Sequence, residues 1–485
     1  MSNPSDTSPP APSIRTERLT GELTTGSIVF MVVAAAAPLT IIGGVTPIGF
    51  VLGNGVGFPA LYIVGAVILL FFAVGLSTMS RYIPQPGAFF TYVGHGLSGS
   101  WGLGAAFLAI LTYAGVQIAV FAYIGATATT AAESLGLPTL PWWAWTLAAV
   151  LLVGLLGYRR IGLSSKVLGI LLIAEVAIVV ALDVAVIARG GADGLSLAPF
   201  SPAVIRSGNL GVGLMFAIAG FVGFESTAVF RDEAKDPVRS IPRATYIAVA
   251  AIGAFYAVSA WALVMAWGPT RIVDVASGNP EALMLNTTSK YLGSAAGIAV
   301  QALLVTSLFA CVLSFHNVVT RYLHTLGSAG VLPRAVGRRH PGHGSPHTAS
   351  VVQTGAVMAV LLALVASGLD PVLQIFTWLS GTTTLGVIVL MALTCLAVLV
   401  YFARTSIDGR IWQTKLAPAL GLIGLVAILA IVVVNYPTLV GGSVVVAVVI
   451  EAVLLATVLG GFALALLLRS RRPDVYVGLT EAIAV

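Results

Sequence analysis

Four long windows of this sequence hold no Asp, Glu, Lys or Arg: residues 244–270, 291–320, 371–403 and 416–450. A surface helix of a soluble protein keeps a polar face toward water, and windows of this kind leave no such face. Each exceeds the roughly 20 apolar residues that cross a bilayer as a helix. Charged residues make up only 9% of the chain, against about 25% in soluble domains. These observations exclude a soluble enzyme, a disordered scaffold and a nucleic-acid-binding domain.

The apolar windows predict an all-α integral membrane protein with twelve transmembrane helices. The fourth predicted span is short and begins with Trp142, Trp143 and Trp145, and indole side chains are typical of the interface between lipid and water. The approximate limits of the spans are 26–50, 57–80, 101–130, 142–158, 163–188, 209–230, 243–267, 292–319, 348–367, 371–402, 416–435 and 442–468.

The distribution of basic residues supports this count and predicts an orientation. With twelve spans and a cytoplasmic amino terminus, all but four of the 24 Lys and Arg residues fall on the cytoplasmic side. The four on the outer side are Arg189, Arg206, Arg271 and Lys290. Cytoplasmic loops of membrane proteins carry an excess of basic residues, whereas a wrong span count would mix the two sets. We therefore predict that both termini are cytoplasmic.

The first and sixth spans differ from the others because proline and glycine residues that can break a helix lie within them. Proline removes a backbone donor and glycine tolerates non-helical dihedral angles, so both segments can unwind. Unwound backbone survives in a membrane only where it lines a cavity or is buried in protein. Interruptions at matching places in two five-helix halves indicate a transporter's substrate site, although a single Gly pair is also typical of helix packing. The residues concerned are Pro38, Gly43, Gly44 and Pro47 in the first span and Gly220 and Gly223 in the sixth.

Residues 220–245, GFVGFESTAVFRDEAKDPVRSIPRAT, resemble the hallmark segment of the amino acid–polyamine–organocation permease superfamily. Members carry a GFE-type segment in the sixth helix, then an acidic pair, Lys, Pro, Arg and an IPRA-type start to the seventh. The stretches at 80–102 and 320–341 are also similar to the family. The matching elements of the hallmark are Gly223 to Glu225, Asp232, Glu233, Lys235, Pro237, Arg239 and Ile241 to Ala244.

The resemblance implies an inverted repeat of five plus five helices, discontinuous first and sixth helices, and transport by alternating access. The last two spans are then an appended pair. We predict the following units: a disordered cytoplasmic tail (1–25), a first five-helix repeat (26–190), a second five-helix repeat (205–402), the appended pair (416–468) and a cytoplasmic tail (469–485).

The resemblance also implies where a substrate binds. In the family, backbone amides at the first interruption hold the substrate carboxylate and carbonyls at the second hold its amine, in keeping with the partial charges of helix ends. Phe221 is predicted to be an aromatic gate over the substrate, with helix packing as the alternative. The predicted substrate-binding residues are Ala36, Ala37, Pro38, Thr40 and Gly43 in the first span and Ala219, Gly220, Phe221 and Gly223 in the sixth.

The first interruption departs from the Gly-x-Gly pattern of the family, because residues 36–40 read Ala-Ala-Pro-Leu-Thr. Pro38 has no N–H, so one donor for a substrate carboxylate is missing. The Thr40 hydroxyl is an alternative donor. Whether the substrate needs a carboxylate is therefore open.

Four carboxylates fall inside predicted spans: Glu175, Asp183, Glu225 and Glu451. A charged Asp at mid-membrane costs about 2.5–3.5 kcal/mol, so such groups are paired, protonated or functional. Many proton-coupled relatives carry a lysine on the fifth helix, and counting from Lys166 places Glu175 there. We predict Glu175 and Glu225 as proton-coupling residues. A structural carboxyl is the alternative for both, held in the case of Glu225 by amides near the interruption.

We predict a secondary active permease that takes up an amino acid or related amine together with protons across the inner (plasma) membrane. The predicted partners are the small-molecule substrate and the lipid bilayer, with no nucleic acid, metal or cofactor, because no zinc-protease or phosphate-loop motif is present. An exchanger or a polyamine or organic-cation carrier is the alternative within transport, and a channel is the alternative class. The particular substrate, a sodium rather than a proton gradient, and the oligomeric state stay open.

Overall fold

The computed structural model describes residues 23–83, 89–138, 140–159, 165–225, 227, 234–342 and 344–484. Within these ranges the chain is helical apart from turns, loops and one isolated bridge, which confirms the predicted all-helical class. The predicted tail up to residue 22 and the acidic pair Asp232 and Glu233 lie outside the described residues.

The helices vary from single turns to more than thirty residues. In chain order they are α1 (Thr25–Ala35), α2 (38–52), α3 (Phe58–Met79), α4 (Phe89–Gly96), α5 (Gly99–Ser134), α6 (Trp142–Tyr158), α7 (Ser165–Ala188), α8 (Leu210–Ala219), α9 (Pro237–Trp267), α10 (Ile272–Gly278), α11 (Leu283–Leu292), α12 (Ser294–Ser328), α13 (His347–Ala366), α14 (Pro371–Thr405), α15 (Trp412–Leu439), α16 (Val444–Arg471) and α17 (Pro473–Ala484).

Ten helical segments among the described residues are long and apolar enough to cross a membrane. They coincide with ten of the twelve predicted spans, so the chain is a multi-pass membrane protein. The fourth and sixth predicted spans correspond to the shorter apolar helices α6, of 17 residues, and α8, of 10 residues. At 1.5 Å per residue α6 is about 26 Å long, slightly less than a hydrocarbon core of about 30 Å. Residues 473–484, predicted as part of a tail, form α17.

The first apolar segment is interrupted between α1 and α2. Ala37 has φ 46° and ψ 69°, a left-handed conformation that costs a non-glycine residue roughly 1–2 kcal/mol. Pro38 explains why Ala37 is not part of a right-handed helix, because a proline disfavours that conformation in the residue before it. We call residues 36–37 the first interruption.

Gly43, Gly44 and Pro47 were predicted to unwind, but they remain helical inside α2. Residues Ile41–Val45 form a π-helical turn, in which the Thr46 amide donates to the Ile41 carbonyl. Pro47 cannot donate to the carbonyl four residues earlier, that of Gly43. The Tyr123 hydroxyl donates to this carbonyl instead, at 2.8 Å. A side chain from α5 thus satisfies the group that the proline leaves free.

The sixth predicted span is interrupted after α8. The amides of Gly220, Phe221 and Val222 donate to carbonyls three residues earlier, so the helix tightens and ends. Gly223 has φ 109°, a conformation that L side chains rarely adopt. We call residues 220–223 the second interruption. Of the predicted helix beyond it, residues 226 and 228–230 lie outside the described residues.

A backbone hydrogen bond joins the residues that precede α1 and α9. The Lys235 amide donates to the Leu23 carbonyl at 3.0 Å, within the isolated parallel bridge between Leu23 and Ala234. Leu23 lies just before α1, and Lys235 lies just before α9, which packs along α1. We call this hydrogen bond the Leu23–Lys235 tether.

Candidate functional site

A cavity of about 60 Å³ lies between the two interruptions. None of its lining residues carries a charged side chain, and its polar groups are hydroxyls, one thiol and the backbone. Any charged group of a bound molecule must therefore be matched by helix ends and hydroxyls. The lining residues are Ala36, Ala37, Thr40, Ile41 and Val45 from the first segment, Val116 and Val120 from α5, Ala219 and Val222 at the second interruption, Cys311 and Phe315 from α12, and Phe376, Ser380, Thr383 and Thr384 from α14.

Four of the nine predicted substrate-binding residues line this cavity: Ala36, Ala37, Thr40 and Ala219. Pro38, the first residue of α2, and Gly223, in the second interruption, are adjacent in sequence to lining residues. Gly43 and Gly220 do not line the cavity. Gly43 faces Leu304 and Met284, and a Cβ on Gly220 would lie 3.1–3.2 Å from Ile41, Tyr62 and Tyr256.

Phe221, the predicted gate, does not line the cavity. Its side chain is only 1% exposed and fills the space against Gly65 of α3 and Gly253 of α9. The aromatic side chains in the cavity wall are Phe315 and Phe376. Phe221 thus occupies a helix-packing position.

Glu175, on α7, lies next to the first turn of α2. Its side chain is 5% exposed, and its Oε2 accepts a hydrogen bond from the Ser307 hydroxyl at 2.9 Å. Ser307 in turn accepts from the Thr40 hydroxyl at 3.1 Å. The backbone amide of Leu39 faces the Glu175 carboxylate. We call the series Thr40–Ser307–Glu175 the hydroxyl relay, because it links a cavity-lining residue to a buried carboxylate.

Few amides remain at the amino end of α2. A helix start normally leaves its first amides without an intrahelical partner. Pro38 has no amide hydrogen, the Leu39 amide faces the Glu175 carboxylate, and the Ile41 amide already bonds the Ala37 carbonyl at 3.2 Å. Only the Thr40 amide is left among the first donors.

Glu225 is held at the second interruption. Its Oε2 accepts from the Gly223 amide at 2.8 Å, and its Oε1 accepts from the Tyr113 hydroxyl at 2.9 Å. Tyr113 stacks on Phe315, with 5.7 Å between ring centroids. Among the described residues, Tyr113 and Phe315 link Glu225 to the cavity.

The carboxyl end of α8 reaches the cavity at Ala219 and Val222. Aligned peptide dipoles give such an end partial negative charge. At the first interruption, the Ala36 carbonyl accepts from the Tyr256 hydroxyl at 3.2 Å.

Two other buried polar residues, Asp183 and Gln117, make contacts between helices. Asp183 accepts from the Ser259 hydroxyl at 2.7 Å. Gln117 donates to the Val312 carbonyl and accepts from Gln353. None of these residues lines the cavity.

Sequence reasoning missed several residues of this site. Ser307 is one of several polar residues in an apolar span, so its residue type alone does not indicate a functional site. The run Ser380 to Thr384 in the tenth predicted span was a visible signal, because it places four hydroxyls in a charge-free helix. Three of them line the cavity: Ser380, Thr383 and Thr384.

Comparison with known proteins finds transporters among those to which this chain is similar. An uncharacterised transporter of Mycobacterium tuberculosis is 30% identical over 249 residues, which cover 50% of this chain and 54% of the relative. The match thus spans about half of that relative's length. The low-affinity putrescine importer PlaP of Escherichia coli is 25% identical over 353 residues, covering 70% of this chain and 74% of PlaP.

The family comparison covers more of the chain than either relative. The sequence profile described as amino acid permease matches residues 23–459. This range includes both interruptions, the cavity and the hydroxyl relay. The chain therefore belongs to the amino acid permease family.

Proposed function

We propose that this protein is a secondary active transporter that carries an amino acid or related amine by alternating access, with proton-coupled uptake. The observation that carries the proposal is the cavity between the two interruptions, which offers helix ends and hydroxyls to a small polar solute. Membership of the amino acid permease family supports it. The similarity to a putrescine importer supports the inclusion of amines.

Glu175 is the proposed proton-coupling residue. It is buried, yet the hydroxyl relay connects it to the cavity through Thr40. A proton on Glu175 can therefore affect what the cavity binds. Glu225 was also predicted to couple protons, but we propose that it stabilises the second interruption, because Tyr113 and the Gly223 amide both donate to it.

The predicted architecture around this site is part of the proposal. It comprises an inverted repeat of residues 26–190 and 205–402, an appended pair at 416–468, and cytoplasmic termini in an inner membrane. Labelling of single cysteines placed in the two terminal segments of intact cells tests the orientation. Both should react only after the membrane is permeabilised.

Uptake into proteoliposomes tests the transport proposal directly. A panel of radiolabelled amino acids and amines is offered with and without an imposed pH gradient. We expect saturable uptake of at least one compound, with accumulation when the outside is acidic. Flux that does not saturate would support a channel and contradict the proposal.

Exchange of an amine for protons is a second candidate, and the hydroxyl relay favours it. Ser307 donates to the Glu175 carboxylate. A protonated Glu175 loses its negative charge and can donate to Ser307 instead, so a proton and a bound cation would weaken each other's binding by the same factor. In this case accumulation is expected when the inside, rather than the outside, is acidic.

A further inference from the structure

The amino end of α2 is the position where a substrate carboxylate would be held, if the substrate had one. Free amides and partial positive charge make a helix start an anion site. In this protein a carboxylate of the chain itself, that of Glu175, already faces the Leu39 amide and accepts from Ser307. Pro38 removes a second donor. A substrate carboxylate would find one amide, that of Thr40, beside a like charge.

The Thr40 hydroxyl does not replace the missing donors. Because Ser307 gives its hydrogen to Glu175, Thr40 gives its own hydrogen to Ser307. A hydroxyl has one hydrogen and two lone pairs. Thr40 therefore presents lone pairs to the cavity that it lines, and these accept hydrogen bonds from an ammonium group.

The rest of the cavity favours a cation as well. The partially negative end of α8 reaches it at Ala219 and Val222. The walls from Ile41, Val116 and Val120 are apolar and suit a hydrocarbon body. No lining residue is basic, so no side chain compensates a substrate carboxylate.

We infer that Glu175 takes the place of the substrate carboxylate, and that the protein selects organic amines without a carboxylate over the amino acids that correspond to them. This inference rests on the proposed transport function and narrows its substrate class. Glu175 is then a specificity-determining residue that acts through Leu39, Ser307 and Thr40.

Pairs of compounds that differ only by a carboxylate test the inference. Phenethylamine with phenylalanine, isoamylamine with leucine, and cadaverine with lysine are compared as competitors and as substrates in proteoliposomes that contain the full chain. A charge-assisted hydrogen bond contributes enough for about a tenfold difference in affinity or more. We expect the amine of the preferred pair to bind at least about tenfold more tightly than its amino acid.

Glu175→Gln is the decisive variant, because it removes the charge and keeps the size of the side chain. We expect it to reduce the preference for the amine by about tenfold. Asp183→Asn is the matched control, since Asp183 is another buried carboxyl of α7 and bonds Ser259 away from the cavity. Its preference should equal that of the wild type.

A second variant tests the inference if Glu175→Gln does not fold. Ser307→Ala cuts the relay but leaves the carboxylate, and it should also lower the preference for the amine, because Thr40 regains a hydrogen to donate.

Stronger binding of the amino acid in the wild type would overturn the inference and leave the transport proposal standing. Equal changes in Glu175→Gln and Asp183→Asn would also overturn it. Absence of saturable uptake for every compound would instead contradict the transport proposal, and the inference with it.

Discussion

The two interruptions differ in how their free backbone amides find a hydrogen-bond acceptor. Each leaves amides without helical partners inside an apolar protein, where an unsatisfied polar group is costly. At the second interruption the carboxylate comes from the same stretch of chain, since Glu225 accepts from Gly223 two residues away. At the first interruption it comes from Glu175 on α7 and is supported by Ser307 on α12.

The carboxylate contact at the second interruption is local in sequence, whereas the one at the first interruption depends on other helices. The contacts of Glu225 with Gly223 can persist when helices move, because they lie within one turn. Those of Glu175 join α2, α7 and α12, so a shift among these helices alters the polarity presented at Thr40. In the proposed mechanism, the first interruption is therefore the place where a change of conformation alters the chemistry of the cavity.

The largest expected effect comes from neutralising the two glutamates separately. Glu175→Gln should abolish accumulation driven by a pH gradient while leaving equilibration of substrate, because the proposed proton site is lost. Glu225→Gln should keep gradient-driven accumulation, since its carboxylate serves the local structure. Both are measured as the ratio of internal to external substrate in proteoliposomes. Loss of coupling in Glu225→Gln alone would reverse the roles assigned to the two interruptions.

A smaller effect is expected from adding a methyl group at the second interruption. Gly223→Ala forces an alanine to φ 109°, which should lower the free energy of unfolding by about 1–3 kcal/mol. Gly355→Ala on α13 is the control, because an added Cβ there meets no atom within 4 Å. The midpoint of thermal unfolding in detergent reports both. An unchanged midpoint for Gly223→Ala would show that the second interruption adapts without strain.

The smallest effects should come from two tyrosines, one at each interrupted segment. Tyr113→Phe removes a donor to the Glu225 carboxylate, and Tyr123→Phe removes a donor to the Gly43 carbonyl. Hydrogen bonds to charged groups contribute about 1.5–3 kcal/mol and those to neutral groups about 0.5–1.5 kcal/mol. Tyr113→Phe should therefore lower the unfolding midpoint more than Tyr123→Phe. The opposite order would indicate that Glu225 is not ionised at the second interruption.

Local chemistry in the sequence predicted much of this arrangement. The missing amide of Pro38 and the tolerance of Gly223 for a positive φ are properties of single residues, so they could be read without coordinates. The helical state of Gly43 and Gly44 could not, because it depends on Tyr123, which is 80 positions from Gly43. The direction in which Thr40 donates likewise depends on Ser307, 267 positions away. Partners this distant leave no local pattern.

The Leu23–Lys235 tether has a mechanical consequence. It fastens the start of α1 to the residues that precede α9. In the proposed alternating-access cycle, a movement of α1 would therefore pull on the chain beyond the second interruption. One peptide hydrogen bond exchanged for water costs only about 0.5–1.5 kcal/mol, so the proposed cycle could break and remake this link at each turnover.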